Sequence, residues 1–190
     1  MRLEVVRAPL DDFFPGVFAM AVSSRLRPPS GEAGLLDWRL GGAVSSLVLD
    51  GILDGRAGER MLFWSRRRSS KIYIFGTGAA SRPSGRTVAD CAENMVKVLL
   101  SMRESEVVLL AEHLLGSEED AERALAFLSG LISGGKENPE LFTGLRFSIP
   151  GEAGSKFYYE SLRKAVLRKG AEAEPVELAF REAAQTSQAK

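Results

Sequence analysis

The chain has 190 residues, 45% hydrophobic and 26% charged, and its 25 Lys+Arg balance 25 Asp+Glu. That length carries one domain with a real core and is barely enough for two. The zero formal net charge argues against a nucleic-acid binder, which needs a basic excess to displace counterions. Cys91 is the sole cysteine, so an intrachain disulfide is excluded and a reducing compartment fits best. The opening MRLEVVRAPLDD lacks the apolar run of a signal peptide. No apolar stretch approaches the roughly 20 residues needed to span a bilayer. The expectation is a cytoplasmic protein with neither membrane nor nucleic-acid partner.

In chain order, Leu3, Val5 and Ala8 mark a short β-like start that Pro9-Leu10-Asp11-Asp12 breaks. Gly16-Val-Phe-Ala-Met-Ala-Val22 reads as a buried strand: short, continuous and apolar. Arg27-Pro-Pro-Ser-Gly31 is a loop. From Leu35 to Leu49, Leu36, Leu40, Val44, Leu47 and Val48 recur at helical spacing. Gly41-Gly42 interrupts that pattern and predicts a bend or two helices meeting tightly. A turn-rich link, Asp50 to Gly58, leads to two strands, Met61–Trp64 and Lys71–Phe75, joined by Arg66-Arg67-Arg68. Long cations blunt exposed turns, so this run reads as a solvated hairpin turn, with a phosphate or acidic partner as the sharper alternative.

The stretch Ile74-Phe-Gly-Thr-Gly-Ala-Ala-Ser-Arg-Pro-Ser-Gly-Arg-Thr87 leaves an apolar run, passes three glycines and enters a helix. That helix is expected from Thr87 as N-cap to Met102, burying Val88, Cys91, Met95, Val98 and Leu99, so Cys91 packs rather than reacts. Glu106–Leu110 follows as a strand, and Ser117-Glu-Glu-Asp120 caps a helix running to about Ile132. Gly134-Gly135 is expected to end that helix in left-handed backbone. Leu145–Ile149 alternates like a strand, and Pro150-Gly-Glu-Ala-Gly154 opens a helix reaching about Lys169. Val176–Phe180 fits an edge strand or a helical turn, and 185–190 should fray. The alternation predicts one α/β domain over 1–190: a mixed, mainly parallel sheet of about six strands between two helix layers.

The inventory of reactive groups is thin. His113 is the only histidine, and neither His-Glu-x-x-His nor Cys-x-x-Cys occurs, so no metal or metal cofactor is expected. A serine triad would have to use His113 without a Gly-x-Ser-x-Gly elbow, against a surface or capping role for that histidine. Asp37, Asp50, Asp54 and Glu59 lie near a helix end and a turn, where solvated carboxylates are the common case. Two glycine loops can aim backbone N–H groups at an anion: Gly76-Thr77-Gly78, and Gly151 with Gly154, Ser155, Lys156 and Phe157. Neither matches Gly-x-x-x-x-Gly-Lys-Ser/Thr, and the first also misses Gly-x-Gly-x-x-Gly because position 81 is Ser.

The order Leu36-Asp-Trp-Arg-Leu-Gly-Gly-Ala-Val-Ser-Ser-Leu-Val48, Gly51-Ile-Leu-Asp-Gly-Arg-Ala-Gly-Glu59 and Ile72-Tyr-Ile-Phe-Gly-Thr-Gly78 resembles the N-terminal domain of the leucyl (cytosol) aminopeptidase family. The likeness is best over 15–110. It implies a macro-domain-like fold. It also implies that peptidase chemistry belongs to a separate metal-binding domain, whose signature Asn-Thr-Asp-Ala-Glu-Gly-Arg-Leu has no counterpart here, so no catalytic residue is carried over. Macro domains bind ADP-ribose with a glycine-rich loop after a late strand, and Phe147 to Phe157 resembles that loop. It lacks the Ser/Thr-Gly-x-Tyr/Phe-Gly pattern, and the Asn-Ala-Ala-Asn signature is absent too.

Three readings follow. The first is a non-catalytic, stand-alone homologue that acts in association or regulation, as a homo-oligomer or with a protein partner. The second is a module binding ADP-ribose or another nucleotide, through Gly151 to Phe157 and through Gly76 to Gly78. The third is a small-molecule hydrolase using Asp37, Asp50 or His113 as acid–base.

Overall fold

The structure is a computed structural model that describes residues 1–25, 29–66, 68–116, 120–151, 155–173 and 175–182. Its strands are β1 (Arg2–Arg7), β2 (Val17–Val22), β3 (Arg60–Ser65), β4 (Ser70–Gly76), β5 (Glu106–Leu110), β6 (Arg146–Pro150) and β7 (Glu177–Glu182). They form one sheet in the order β3-β4-β2-β5-β6-β1-β7. Among the described residues only the β3–β4 hairpin is antiparallel, and every other pair is parallel. The mixed, mainly parallel sheet is as expected, with one strand more than about six. The addition is β7, an edge strand that pairs Leu178 with Leu3 and Phe180 with Val5.

The helices are α1 (Gly31–Arg39), α2 (Ala43–Leu49), α3 (Gly85–Ser101), α4 (Glu112–Leu115), α5 (Ala121–Gly135), α6 (Pro139–Gly144) and α7 (Ser155–Lys169). Strand alternation sorts the core into two clusters. On one face Ala19, Ala21, Tyr73, Leu109, Phe147 and Ile149 meet α3, α5 and α7. On the other, Phe18, Met20, Ile72, Ile74 and Leu110 meet Leu36 and Leu40 from α1 and its end, and Val44 from α2.

Three local expectations change. The N-cap of α3 is Ser84, whose hydroxyl accepts the Thr87 N–H at 3.2 Å, so the helix starts at Gly85 and Thr87 lies in its first turn. Gly134 and Gly135 lie inside α5, and its C-cap Lys136 is right-handed at φ −60°. Their role is close approach. A Cβ on Gly130 would sit 2.2 Å from the Ala89 carbonyl oxygen, and one on Gly134 would sit 2.7 Å from that of Glu93. The missing side chains let α5 touch the α3 backbone. The capping expected at Ser117 lies outside the described residues; α5 is capped by Asp120, which accepts the Arg123 N–H at 3.0 Å.

The interruption at Gly41-Gly42 separates two helices, with φ of 75° and 79° at the two glycines. Asp37, only 6% exposed, ties them together. Its carboxylate accepts the Val44 N–H (2.7 Å), the Ser45 N–H (3.2 Å) and the Ser45 hydroxyl (2.5 Å), capping α2 from the end of α1.

Candidate functional site

Because all strands but β3 run in one sense, their carboxyl ends share an edge. The connection after β2 runs through α1 and α2 on one face, and that after β5 runs through α5 on the other. Neighbouring strands whose connections part this way leave a crevice beyond their carboxyl ends, where ligands of open α/β sheets bind. Here the crevice has two lobes.

The smaller lobe, about 200 Å³, lies at the ends of β2 and β5, with Ser23, Glu32, Glu112, His113 and Arg123 in its wall. The larger, about 560 Å³, lies at the ends of β1, β5 and β6, lined by Leu10, Leu35, Pro150, Gly151, Phe157 and Tyr158. Both share Leu110, Glu32 and Glu112.

Glu32 and Glu112 form the partition through a reciprocal clasp. The Glu32 N–H donates to the Glu112 carboxylate at 2.8 Å, and the Glu112 N–H donates to the Glu32 carboxylate at 3.1 Å. Tyr158 adds a phenol donor to Glu32 at 3.2 Å, bringing α7 to the clasp. Position 31 must be glycine: its φ is +59°, and a Cβ there would lie 2.0 Å from the Glu112 carboxylate. Desolvation raises the Glu32 carboxyl to about 7, helped by the Glu112 charge and opposed by the N–H bonds it accepts. The Tyr158 hydroxyl is pushed up by burial and by the two carboxylates.

His113 is half-buried rather than a surface residue. Its Nε2 lies 2.8 Å from the Thr77 hydroxyl, which donates to the Val22 carbonyl at 3.1 Å. Either the ring or the hydroxyl donates in the Thr77–His113 pair, according to the tautomer of the ring. Burial, then the Arg123 charge, lowers the His113 pKa and keeps the ring neutral. Arg123 is 8% exposed. Its Nη2 donates to the His113 carbonyl at 2.7 Å, and its buried Nε has no partner among the described residues.

The two glycine loops differ sharply. At the end of β4 the N–H groups of Gly76, Thr77 and Gly78 donate to Glu59, Val22 and Gly55 carbonyls, so all three are spent inside the chain. After β6 the Gly151 N–H also goes inward, to Val6 at 3.1 Å, but Gly151 and the 47%-exposed Phe157 line the larger lobe. Ser155 is buried and Lys156 exposed; Gly154 lies outside the described residues. Of the acidic candidates, Asp37 is occupied as a helix cap and Asp50 is exposed beyond α2, and neither lines the lobe that His113 lines. Among the described residues no group of three or more His, Cys, Asp and Glu is placed to hold a metal, and no helix is long and apolar enough to cross a membrane. The Cys91 thiol is buried and pushed up to about 12 by desolvation.

The sequence reading did not single out Glu32, Glu112, Arg123 or Tyr158. The clasp joins residues 80 apart, and no local pattern announces such a pair.

No family model and no curated protein matches the chain. Solved structures do. A variant of tomato leucine aminopeptidase matches 87% of this chain at TM-score 0.60 and 14% identity. The chain spans only 35% of that protein. A variant of the Oceanobacillus iheyensis macrodomain matches 86% of this chain and 92% of its own length, at TM-score 0.63 and 16% identity. The Trypanosoma brucei macrodomain in complex with ADP-ribose matches 86% of this chain and 68% of its own, at TM-score 0.64 and 11% identity. At such identities the likeness is one of fold, and the chain has a macrodomain-like α/β fold with a seven-stranded mixed sheet.

Proposed function

We propose that the chain is a binding module for a nucleotide-like small molecule, held in the crevice at the strand carboxyl ends. The observation that carries this reading is the larger lobe. It offers apolar surface from Leu10, Leu35 and Pro150, the exposed ring of Phe157, and polar groups at one wall, the combination that a flat base on a polar sugar requires. The structural likeness to a macrodomain in complex with ADP-ribose supports the same reading.

Calorimetry and thermal unfolding with adenosine and ADP-ribose test it, because a ligand bound to the folded state alone must raise Tm by mass action. The expected result is binding of at least one of the two. Phe157→Ala should weaken it about tenfold while leaving the unliganded Tm nearly unchanged, since the ring is half exposed. No heat and no Tm shift at millimolar concentrations of either compound would overturn the reading.

Association with a second copy or another protein is the alternative. Its support is the exposed apolar surface of the α1–α2 layer, where Trp38, Leu49 and Ile52 stand open to solvent. Static light scattering distinguishes a monomer from a dimer.

A further inference from the structure

The smaller lobe holds an arginine whose charge the described residues leave incompletely met. Arg123 is more than nine-tenths buried and lines the cavity. Burial opposes its charge, as does nearby Arg82. Asp120 favours the cation, but its carboxylate is shared between Arg82 at 2.9 Å and the Arg123 N–H at 3.0 Å. Nη2 has a neutral carbonyl partner, and Nε has none among the described residues. A buried guanidinium costs desolvation energy that only a paired anion fully offsets. The cavity beside Arg123 is the place where such an anion would complete the pair.

Across the same cavity, Glu32 and Glu112 present acceptors. Each already accepts one backbone N–H, and Glu32 also accepts the Tyr158 hydroxyl. Carboxylates have further lone-pair sites, so hydroxyl donors satisfy them. A phosphate chain running between the lobes would instead pass two acids.

We propose that the smaller lobe is an anion subsite in which Arg123 binds the single terminal phosphate of a nucleoside monophosphate, while Glu32 and Glu112 accept hydrogen bonds from the ribose hydroxyls. This rests on the nucleotide reading and deepens it by naming the ligand class. The groups facing the bound phosphate are Arg123 from α5, Glu112 and His113 from α4, Glu32 from α1, and, through Glu32, Tyr158 from α7. An incoming anion favours the protonated forms of Glu32 and His113, so binding takes up protons and tightens as pH falls from 8 to 7, a range in which the phosphate, whose second pKa is about 6, stays largely dianionic.

The test compares 5′-AMP, adenosine and ribose 5-phosphate on the full chain. Expected are an affinity for AMP at least tenfold above that for adenosine, and a ratio that grows as pH falls from 8 to 7. Arg123→Met abolishes the ratio and leaves adenosine binding unchanged, and Arg123→Lys restores part of it. In wild type, ribose 5-phosphate shifts the NMR resonances of the Arg123 Nε–H and the His113 ring; this holds the proposal to account even if Arg123→Met does not fold. Equal affinities for AMP and adenosine, a ratio that survives Arg123→Met, or unmoved Arg123 and His113 resonances would overturn the subsite while leaving the nucleotide reading intact. Ribose 5-phosphate binding that depends on Arg123, with no binding of adenosine or ADP-ribose, would keep an Arg123 phosphate subsite and remove the nucleotide reading.

Discussion

The two faces of the sheet are built by different means. On the α3–α5–α7 face, long helices pack closely because α5 carries glycine where α3 approaches. Gly130 meets the Ala89 carbonyl and Gly134 that of Glu93. Large buried side chains such as Phe127, Phe147 and Met95 fill the remainder. On the opposite face two short helices of nine and seven residues cover the strands. Helices that short gain little from their own hydrogen bonds and depend on tertiary anchors. Asp37 is one such anchor, and the Glu32–Glu112 clasp at the start of α1 is another. The difference teaches that the crevice has one wall of long, closely approaching helices and one of short helices whose apolar core is supplemented by polar anchors. The polar contacts also line the lobes.

The largest expected effect is on the packed face. A valine at position 130 would press against backbone, which cannot yield as a flexible side-chain tip could. Gly130→Val should therefore cost about 3 kcal/mol, at the upper end of overpacking effects. Urea unfolding measures it. A loss below about 1 kcal/mol would mean that α3 and α5 are not in close contact there.

Asp37→Ala is next. It removes the acceptor of two N–H groups and a hydroxyl and leaves a nearly buried helix start unsatisfied, for a cost of about 1 to 3 kcal/mol. The loss should be concentrated on the α1–α2 face. Amide exchange at Val44 and Ser45 should accelerate well beyond the change at Met95 or Leu99 in α3. Equal acceleration on both faces would dissolve the distinction between the two walls.

How legible each wall is in the sequence follows from the same contrast. Apolar periodicity is a local signal, so Val88, Cys91, Met95 and Leu99 announce α3, and the runs at Gly16–Val22 and Glu106–Leu110 announce strands. The pair Gly41-Gly42 marks the break between α1 and α2 for a local reason too, a backbone in left-handed conformation. Gly134-Gly135 carries the same residue type for a non-local reason, room for another element, and sequence spacing does not separate the two uses. Ser84 and Thr87 are likewise both good caps by type; the backbone chooses Ser84. The crevice is the least legible part. Glu32 meets Glu112 and Tyr158 only because β2, β5 and β6 end side by side, a consequence of strand order rather than of any neighbour in the chain. The glycine loops were visible because glycine clusters are local, yet the loop after β4 spends its N–H groups internally.

The smallest effect is a slope rather than a loss, and it lies where the two walls meet. The Glu32 carboxyl, raised from 4.5 to about 7 by burial, holds a proton in the folded chain that the unfolded chain gives up. Its contribution to stability is therefore complete below pH 4.5 and lost as pH rises through about 7. His113 runs the other way: its pKa is lowered from 6.5, so stability is lost as pH falls below that value and the unfolded chain takes up the proton first. In wild type the two trends offset each other between pH 5 and pH 7, and a nearly flat profile would hide both. Substitution separates them. Relative to wild type, Glu32→Gln should become progressively more stable from pH 5 to pH 8, and His113→Gln progressively more stable as pH falls from 7 to 5. The differences are read from chemical denaturation at each pH. Neither variant removes an apolar contact of the α3–α5 wall, so Gly130→Val should shift the whole profile without changing its slope. A flat difference for Glu32→Gln across that range would show that water reaches the clasp freely, and that the polar wall is open rather than closed.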